Sequence, residues 1–445
     1  MYFLYRLLYC CLATYLLVSC ANRPGVRSRE LSGLVDQSPI FQRSFTGFAL
    51  YDVSRDETVY AYQSDKYFTP ASNTKIFTLY AGLKLLGDSI PALQYRIENE
   101  TLFFTGTGDP TFLHPDIESI DTTYDHNVYQ FLRNNQQTLV YSERPTTDDY
   151  FGPGWAWGDY NYYYSSEKST FPIYANVIRF KFQEDIQKPI TYPPYFNSFL
   201  LGFPDSTQKS YLIRDQHRNE FSYGQKPDSL AFSRDVPFIQ SSSLLLDLLQ
   251  DTLKRRVLVQ PEYPEYFTDT LYSLPVDSVY QRMMQISDNF IAEQLLLICS
   301  STHQDTLSSD TVISLVTKEF LDDLPDKPIW VDGSGLSRYN LQTPRTMVAL
   351  LRKVNEELTD ERIKTIFAAG GESGTIEKWY ANPEGKPYVF AKTGTLSNKH
   401  ALSGFLYTKS GKKLIFSFMH NNYITSSSVL KVEMEKILRK LYEEY

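Results

Sequence analysis

The sequence predicts a mixed α/β protein whose main domain is divided in the chain by a large β-rich insertion. The chain of 445 residues is too long for one ordinary core, so two or more domains are expected. Strand and helix patterns occur near both ends, whereas the middle is rich in Tyr, Pro, Asp and short β-like runs. We therefore expect one discontinuous domain at residues 41–92 and 270–445, with an inserted domain or pair of subdomains at 93–269.

The first segment of the divided domain has a predicted strand hairpin followed by a helix. Residues 45–53 and 58–62 have strand-like composition and are joined by a short polar turn. Pro70 then precedes apolar residues at helical spacing, and Gly87 follows them. Proline at the start and glycine just past the end are typical of a helix, here over residues 70–86.

The second segment alternates between helices and strands. Helical periodicity begins at Val276 and continues over residues 311–321. Strands and a closing helix are expected after it, at residues 388–392, 401–407, 413–420 and 427–441.

The N-terminus has the pattern of an export signal. Arg6 precedes an apolar run over residues 7–18, which is too short to span a membrane comfortably and is typical of a signal peptide. The run ends in Leu17-Val18-Ser19-Cys20, which resembles a bacterial lipobox, where the chain is cut before the cysteine and the thiol is lipidated. We expect a signal peptide at 1–19, a polar tether at 20–40, and a periplasmic protein held to the inner or outer membrane through Cys20. The alternative is an ordinary secretory signal with an incidental cysteine.

Composition and residue spacing argue against several other classes of protein. The net charge of −8 does not suit a nucleic-acid binder, which needs a basic surface. The six histidines have no zinc-ligand spacing, so we expect no metal and no other cofactor. Apart from the cysteines of the signal region, only Cys299 remains, within an apolar helical pattern, so we expect no disulfide framework.

Three short motifs stand in order along the chain and carry the candidate chemistry. They are Ser72-Asn73-Thr74-Lys75, Ser287-Asp288-Asn289 and Lys392-Thr393-Gly394, a set found in β-lactamases and penicillin-binding proteins. At Ser72 the first motif directly follows Pro70-Ala71 and begins a predicted helix, and it lacks the glycines of a G-x-S-x-G elbow. The same serine–lysine spacing recurs without that context at Ser165/Lys168, Ser206/Lys209, Ser410/Lys413 and Ser428/Lys431.

The residue types in these motifs suit nucleophilic catalysis. Residues three apart lie on one face of a helix, so Lys75 can reach the Ser72 hydroxyl. A hydroxyl is a weak nucleophile until a base takes its proton, and lysine can serve when burial and a nearby positive charge lower its pKa. Lys392 would supply that charge. Ser287 offers a hydroxyl that can pass a proton, and Asn289 offers an amide for the peptide groups of a substrate.

The chain resembles the class C low-molecular-mass penicillin-binding proteins, the D-alanyl-D-alanine carboxypeptidase/endopeptidase family. The similarity extends over residues 45–422, and the most distinctive match is the loop Asp332-Gly-Ser-Gly-Leu-Ser-Arg-Tyr-Asn340. The wide separation of Ser72 from Ser287 fits the extra domains that this family inserts there. The other matching segments are residues 70–75, 106–110, 152–159, 287–289 and 391–395.

The resemblance implies a fold, a reaction and a set of site residues. The fold would be a β-lactamase/transpeptidase-like serine acyl-enzyme domain, acting on peptidoglycan stem peptides and inhibited by β-lactams. Ser72 would form the acyl-enzyme with Lys75, Ser287, Asn289 and Lys392 as catalytic partners. The backbone N–H groups of Ser72 and Thr395 would form the oxyanion hole.

The resemblance also implies residues that bind substrate. Arg338 and Asp159 match positions that would hold the zwitterionic end of a diaminopimelate side chain, and Tyr164 matches an aromatic position beside them. The alternative for Arg338 is an ion pair that fixes its own glycine-rich loop. The remaining substrate-binding residues would be Asn289, Lys392, Thr393, Gly394 and Thr395.

Two departures and two alternative functions remain open at this point. Gln285 stands where the family often has Lys or another polar residue, and we assign it no role; the residues after Thr395, Leu396-Ser397-Asn398, leave the fine specificity open. The enzyme could instead be a β-lactamase, although no residue pattern identifies a group that activates water. It could also be a catalytically silent, lipid-anchored protein that binds or senses peptidoglycan. The balance between carboxypeptidase and endopeptidase activity and the oligomeric state are likewise open.

Overall fold

The computed structural model describes residues 28–117, 127–184, 188–202, 210–224, 230–260, 263 and 266–445. The predicted signal peptide and Cys20 lie outside the described residues, as does the Ser206/Lys209 pair. Within the described ranges, no helix has the length and apolar character needed to cross a membrane.

The secondary structure follows the predicted pattern at both ends of the chain. The described strands are β1 Phe45–Asp52, β2 Glu57–Tyr62, β3 Ser89–Glu98, β4 Thr101–Gly106, β5 Thr138–Ser142, β6 Val177–Phe182, β7 Ile190–Tyr192, β8 Leu200–Gly202, β9 Tyr211–Arg214, β10 Phe221–Gly224, β11 Phe232–Pro237, β12 Val257–Gln260, β13 Asp269–Pro275, β14 Ala368–Ala369, β15 Val389–Leu396, β16 Lys399–Tyr407 and β17 Lys413–Asn421. The described helices are α1 Ser28–Asp36, α2 Lys75–Leu85, α3 Asn127–Asn134, α4 Ser242–Leu253, α5 Val276–Gln285, α6 Asn289–Ser301, α7 Ser309–Phe320, α8 Pro344–Glu357, α9 Asp360–Ile366 and α10 Ser427–Glu444. The strands predicted at 45–53, 58–62, 401–407 and 413–420 are confirmed within a residue or two, and β15 extends four residues beyond its predicted end.

A six-stranded sheet joins the two ends of the chain. Its order is β14-β15-β16-β17-β1-β2, and β1 pairs antiparallel with β17 so that Phe45 faces Asn421. Successive side chains of β1 enter different cores: Phe48 packs with α1 and α10, whereas Ala49 packs with α2, α6 and α8. This alternation has the period of two that a strand requires, and it explains why a sheet covered by helices on both faces is built from nearly continuous apolar runs.

The middle of the chain forms sheets with a core of their own. A five-stranded sheet has the order β12-β5-β4-β3-β13, two three-stranded sheets accompany it, and α3 and α4 contribute to the same apolar cluster. Strands β3 and β13 pair antiparallel, and the boundaries predicted from composition, after residues 92 and 269, fall within these two strands. The domain bounds therefore stay a prediction, because composition does not show where a shared strand pair begins.

The predicted tether at residues 20–40 needs a correction from Ser28 onward. Residues Ser28–Asp36 form α1, in which Leu31 and Val35 are fully or almost fully buried against the six-stranded sheet. The hydroxyl of Tyr60 on β2 also donates a 2.8 Å hydrogen bond to Asp36. Two apolar residues four positions apart cover a single helical turn, which is too short a pattern to be distinguished from a polar linker.

Truncation of Leu295 tests the core that supports α6. Its side chain is fully buried in the cluster between the sheet and the helices, so Leu295→Ala leaves a cavity. We expect a loss of about 2–5 kcal/mol in the free energy of unfolding, measured by chemical denaturation. The control Ile424→Ala removes a side chain that is 86% exposed and should change stability by less than about 0.5 kcal/mol. Equal losses in the two variants would contradict this placement of the core.

Candidate active site

Ser72 lies in a 3₁₀ turn, Ala71–Thr74, that leads directly into α2. The predicted helix from Pro70 therefore begins with a tighter turn, and Ala71 has a φ of +49°, in the left-handed region that costs a non-glycine residue roughly 1 kcal/mol. Asn73 Nδ2 donates a 2.8 Å hydrogen bond to the carbonyl of Lys392, which ties the turn to β15. Backbone strain and a fixed contact with the sheet thus set the position of the serine.

Two glycines let neighbouring segments approach this turn. A Cβ on Gly394 would lie 2.3 Å from Pro70 O and 3.1 Å from Ser72 N. A Cβ on Gly335, where φ is +80°, would lie 1.9 Å from Ala71 O. Only glycine fits at these approaches, so β15 and the loop of residues 332–340 hold the turn from two sides.

Lys75 occupies the centre of the site. Its Nζ lies 3.0 Å from Ser72 Oγ, 2.7 Å from Asn289 Oδ1 and 2.6 Å from the carbonyl oxygen of Ser334. A neutral amine has two N–H donors and one lone pair. Because Asn289 and Ser334 can only accept there, they retain the two donors, and the lone pair is left to face the Ser72 hydroxyl. The geometry therefore suits removal of the serine proton.

Burial lowers the pKa of Lys75 to about 8, against the attraction of Asp332, Glu293 and Asp288, which favours the charged form. The sequence-based expectation assigned part of this lowering to the charge of Lys392. In the structure the pKa of Lys75 is lowered by desolvation. The pKa of Lys392 lies well below its usual value, first because this residue is buried and then because Lys75 repels its charge. A base poised near neutral pH is what nucleophile activation requires.

The loop of residues 332–340 is shaped by two buried carboxylates. Glu293 on α6 accepts hydrogen bonds from the backbone N–H groups of Gly333 and Ser334, at 3.1 and 2.7 Å. Asp332 accepts from Gly335 N at 2.9 Å and from Trp155 Nε1 at 2.9 Å. These contacts turn the Ser334 carbonyl toward Lys75. The sequence analysis missed Glu293, which stands in no motif, and it assigned no role to Trp155 within the matching segment 152–159.

The second motif forms the start of α6. Asp288 caps the helix by accepting a hydrogen bond from Ile291 N at 3.1 Å, which places Asn289 on the first turn beside Lys75. Ser287 is half-buried with a φ of +64°, and it lines a cavity of about 860 Å³. Among the described residues its hydroxyl has no hydrogen-bond partner, so the proton relay through Ser287 stays a prediction.

A chain of ion pairs connects this motif to the insertion. Arg282 on α5 donates to Asp288 at 3.0 Å and to Asp116 at 2.9 Å. Arg179 on β6 donates to Asp116 at 2.6 Å and to Asp235 on β11 at 2.8 Å. Because Asp288 caps α6, this network fixes the start of α6 to the β-rich part of the chain. No local sequence pattern could have identified it.

The three predicted substrate-binding residues Asp159, Tyr164 and Arg338 have different surroundings in the structure. The carbonyl of Tyr164 accepts a 2.9 Å hydrogen bond from Asn289 Nδ2, so this residue borders the site. Burial, together with the charge of Asp159 and a hydrogen bond to it, raises the pKa of Tyr164 to about 12. Arg338 is exposed and forms no ion pair with any described residue. The described residues therefore offer no partner for the alternative in which Arg338 fixes its own loop through an ion pair.

The residues of the third motif lie on β15. Lys392 is buried, and its Nζ donates to the Thr393 carbonyl at 2.9 Å. The hydroxyl of Thr393 donates to Thr375 Oγ1 at 2.7 Å. Thr395 is exposed, and its Oγ1 lies 3.1 Å from His400 Nδ1. Together with Gly394 these residues form the edge of the site opposite Asn289, while their roles toward a substrate stay predictions.

Comparison with protein families gives one match over most of the chain. The model of the D-Ala-D-Ala carboxypeptidase 3 (S13) family matches residues 28–208 and 251–442. The D-alanyl-D-alanine carboxypeptidase DacB of Haemophilus influenzae is 24% identical over 476 residues, which covers 97% of each chain.

Solved structures give the same fold. Penicillin binding protein 4 of Haemophilus influenzae superimposes with a TM-score of 0.71 at 22% identity, over 93% of this chain and 99% of that one. Its complex with a β-lactam gives a TM-score of 0.65 at 20% identity, with the same coverage. A predatory peptidoglycan endopeptidase of Bdellovibrio bacteriovorus gives 0.52 at 15% identity, over 89% of this chain and 90% of that one. The predicted α/β fold with a divided penicillin-binding-protein domain is confirmed.

The lowered pKa of Lys75 predicts how the reactivity of Ser72 depends on pH. Below pH 8 the amine is protonated and has no lone pair, so the rate of acylation by p-nitrophenyl acetate should fall about tenfold per pH unit and level off above pH 8. The variant Lys75→Arg stays charged throughout this range and should react slowly at every pH. A wild-type rate that does not change between about pH 6 and pH 9 would exclude Lys75 as the base.

Proposed function

The chain belongs to the D-Ala-D-Ala carboxypeptidase 3 (S13) family, and we propose that it hydrolyses D-alanyl peptide bonds in peptidoglycan through an acyl-enzyme on Ser72. The enzyme is a serine-type D-alanyl-D-alanine carboxypeptidase that also acts as an endopeptidase on crosslinks. The observation that carries the mechanism is the position of Lys75 Nζ, 3.0 Å from Ser72 Oγ and held by two acceptors.

The first step is attack by Ser72 on the carbonyl of the D-alanyl bond. Neutral Lys75 takes the hydroxyl proton as the Oγ–carbon bond forms, and the backbone N–H groups of Ser72 and Thr395 receive the oxyanion. The leaving amine then needs a proton, which Ser287 can pass from Lys75. Preformed donors of this kind stabilise the tetrahedral intermediate by a few kcal/mol, on the order of 3.

Lys392 recognises the end of the substrate in this proposal. Burial, and then the charge of Lys75, lower its pKa well below the usual value. A substrate carboxylate beside it would favour the protonated form and gain an ion pair out of water. The terminal D-alanine of a stem peptide supplies such a carboxylate.

The two activities differ only in the leaving group. A carboxypeptidase reaction expels free D-alanine, and an endopeptidase reaction expels an amine that belongs to a second stem peptide. The cavity of about 860 Å³ beside Ser287 supports the second reaction, because it offers space next to the residue that protonates the leaving amine. Water then releases the acyl group in both cases.

Substrate choice is proposed for residues at the edge of the site. Asp159 and exposed Arg338 would hold the ammonium and carboxylate of a diaminopimelate side chain, with Tyr164 stacked beside the stem. The hydrogen bond between Tyr164 and Asp159 and the contact of the Tyr164 carbonyl with Asn289 support this role for Asp159 and Tyr164. β-Lactams, which resemble the D-alanyl bond, would acylate the same serine and inhibit the enzyme.

Export and lipid anchoring at Cys20 remain part of the proposal. Helix α1 begins at Ser28 and packs on the sheet, so its first residue stands eight positions along the chain from Cys20. A chain of that length reaches at most about 28 Å. A lipid on Cys20 would therefore hold the catalytic domain close to the surface of a periplasmic membrane.

Labelling by a fluorescent penicillin tests the nucleophile. The wild type should form a covalent adduct that survives denaturing electrophoresis, and Ser72→Ala should abolish it because the acyl acceptor is gone. The control Ser428→Ala changes an exposed serine with the same spacing to a lysine, Lys431, and should label as the wild type does. Labelling of Ser72→Ala at the wild-type level would disprove the assignment.

Digestion of purified muropeptides then separates the two activities. Loss of terminal D-alanine from monomers reports the carboxypeptidase, and conversion of crosslinked dimers to monomers reports the endopeptidase. Neither product should appear with Ser72→Ala. A preparation that labels with penicillin but releases neither product would contradict the proposed substrate.

Growth in a radiolabelled fatty acid tests the anchor. The wild-type protein should take up label and sediment with membranes, because acyl chains on Cys20 contribute about 0.8 kcal/mol per buried CH₂ group. Cys20→Ser should lose both properties, whereas Cys299→Ser, which changes a buried core cysteine, should keep the label. Label that persists in Cys20→Ser would rule out this site.

A further inference from the structure

A second cavity lies behind the segment of residues 151–167 that borders the active site. Its volume is about 470 Å³, and the aromatic side chains of Phe151, Trp155, Trp157 and Tyr160 line it. Arg214, at the end of β9, closes it from the other side. This cavity shares no lining residue with the catalytic motifs.

Arg214 is a buried cation with most of its hydrogen-bonding capacity unused. Its side chain is 1% exposed, its guanidinium lies 5.2 Å from the ring centre of Tyr160, and Nη2 donates to the Tyr160 carbonyl at 3.3 Å. Nε and Nη1 have no partner among the described residues, and no described carboxylate forms an ion pair with this guanidinium. Buried N–H donors without an acceptor are costly, so the arrangement favours an anion in the cavity.

Glu167 also lines the cavity, and its charge attracts the Arg214 guanidinium, but the two groups form no direct ion pair. Its carboxylate already accepts a 2.7 Å hydrogen bond from Gln240 N, and burial raises its pKa. It leaves Nε and Nη1 of Arg214 without a hydrogen bond, and its oxygens can still accept one from an N–H group of an occupant. A cation, an acceptor and flat aromatic walls together suit a peptide that carries a carboxylate.

The walls of the cavity reach the catalytic residues. Trp155 donates to Asp332, whose loop turns the Ser334 carbonyl toward Lys75. Ser165 lines the cavity and follows Tyr164, whose carbonyl accepts from Asn289. An occupant of the cavity would thus contact the segments that hold the catalytic residues in place.

We propose that the Arg214 cavity is a subsite for a carboxylate of the peptidoglycan stem peptide, away from the bond that is cut. The proposal rests on the proposed function for the identity of the peptide. Arg214 binds the carboxylate through Nε and Nη1, and the aromatic side chains contact the aliphatic part of the stem. Occupation would hold the 151–167 segment against Asn289 and Asp332.

The test uses the full protein acylated with benzylpenicillin, which fills the catalytic cleft and leaves the second cavity free. A stem tripeptide that ends in diaminopimelate is titrated in, and binding is followed by tryptophan fluorescence, because Trp155 and Trp157 line the cavity. We expect saturable binding that Arg214→Gln weakens at least about tenfold, since charge-assisted hydrogen bonds are lost. The control Arg218→Gln changes a nearby exposed arginine and should bind as the wild type does.

Three results would overturn the proposal: no binding to the acylated wild type, equal binding by Arg214→Gln, or equal binding of a tripeptide whose carboxylates are amidated. Binding of free D-alanine in place of the tripeptide would overturn the assignment to the stem. If Arg214→Gln does not fold, Trp157→Ala replaces it in calorimetry, because that ring is 79% exposed and its loss spares the core. Unchanged affinity in Trp157→Ala would then contradict the subsite.

The outcomes for the two proposals are separable. Failure of penicillin to acylate the wild type would count against the proposed function alone. The same titration on unacylated Ser72→Ala protein would then still decide the subsite, through the comparison of tripeptide binding with and without Arg214→Gln.

Discussion

The burial of one amine beside one hydroxyl is the constraint on which the rest of this structure depends. Lys75 must lose water to become a base near neutral pH, yet a buried amine without partners would be costly. Asn289 and the Ser334 carbonyl meet this requirement by accepting its two N–H groups, so that the lone pair faces Ser72. These acceptors come from α6 and from the glycine-rich loop, far apart in the chain. The main domain can therefore be divided in sequence but not in space.

The carboxylates that shape the glycine-rich loop also raise the pKa of Lys75, which the loop contacts through the Ser334 carbonyl. Glu293 and Asp332 fix the loop by accepting backbone N–H groups, but their negative charge favours the protonated form of Lys75. Burial and the proximity of Asp332 raise the pKa of Glu293, which weakens that attraction. The desolvation of Lys75 prevails, and its pKa stays near 8. The site thus combines a rigid loop with an amine that can lose its proton near pH 8.

The sequence predicted the parts of the site that follow local patterns and missed those that depend on distant contacts. Ser72 and Lys75 could be placed together because three-residue spacing has a fixed meaning on a helix. Helix α1 was not predicted because two apolar residues in one turn do not make a recognisable pattern. Glu293 and Arg214 were not identified for a different reason. The role of each depends on the distant chain segments packed against it, and a single sequence does not show that a charged residue is buried.

The insertion takes part in catalysis through the structure of the second motif. Arg282 joins Asp288 to Asp116, and Arg179 continues the chain of ion pairs to β11, so the start of α6 is held from the β-rich side. Asn289 meets that side directly at the Tyr164 carbonyl. A substrate that contacts the insertion therefore acts on the same residues that hold Lys75. Since the catalytic triplets are common to serine acyl-enzymes of different specificity, we expect the residues that distinguish one peptide from another to lie in the insertion and in the loop of Arg338, and not in the triplets.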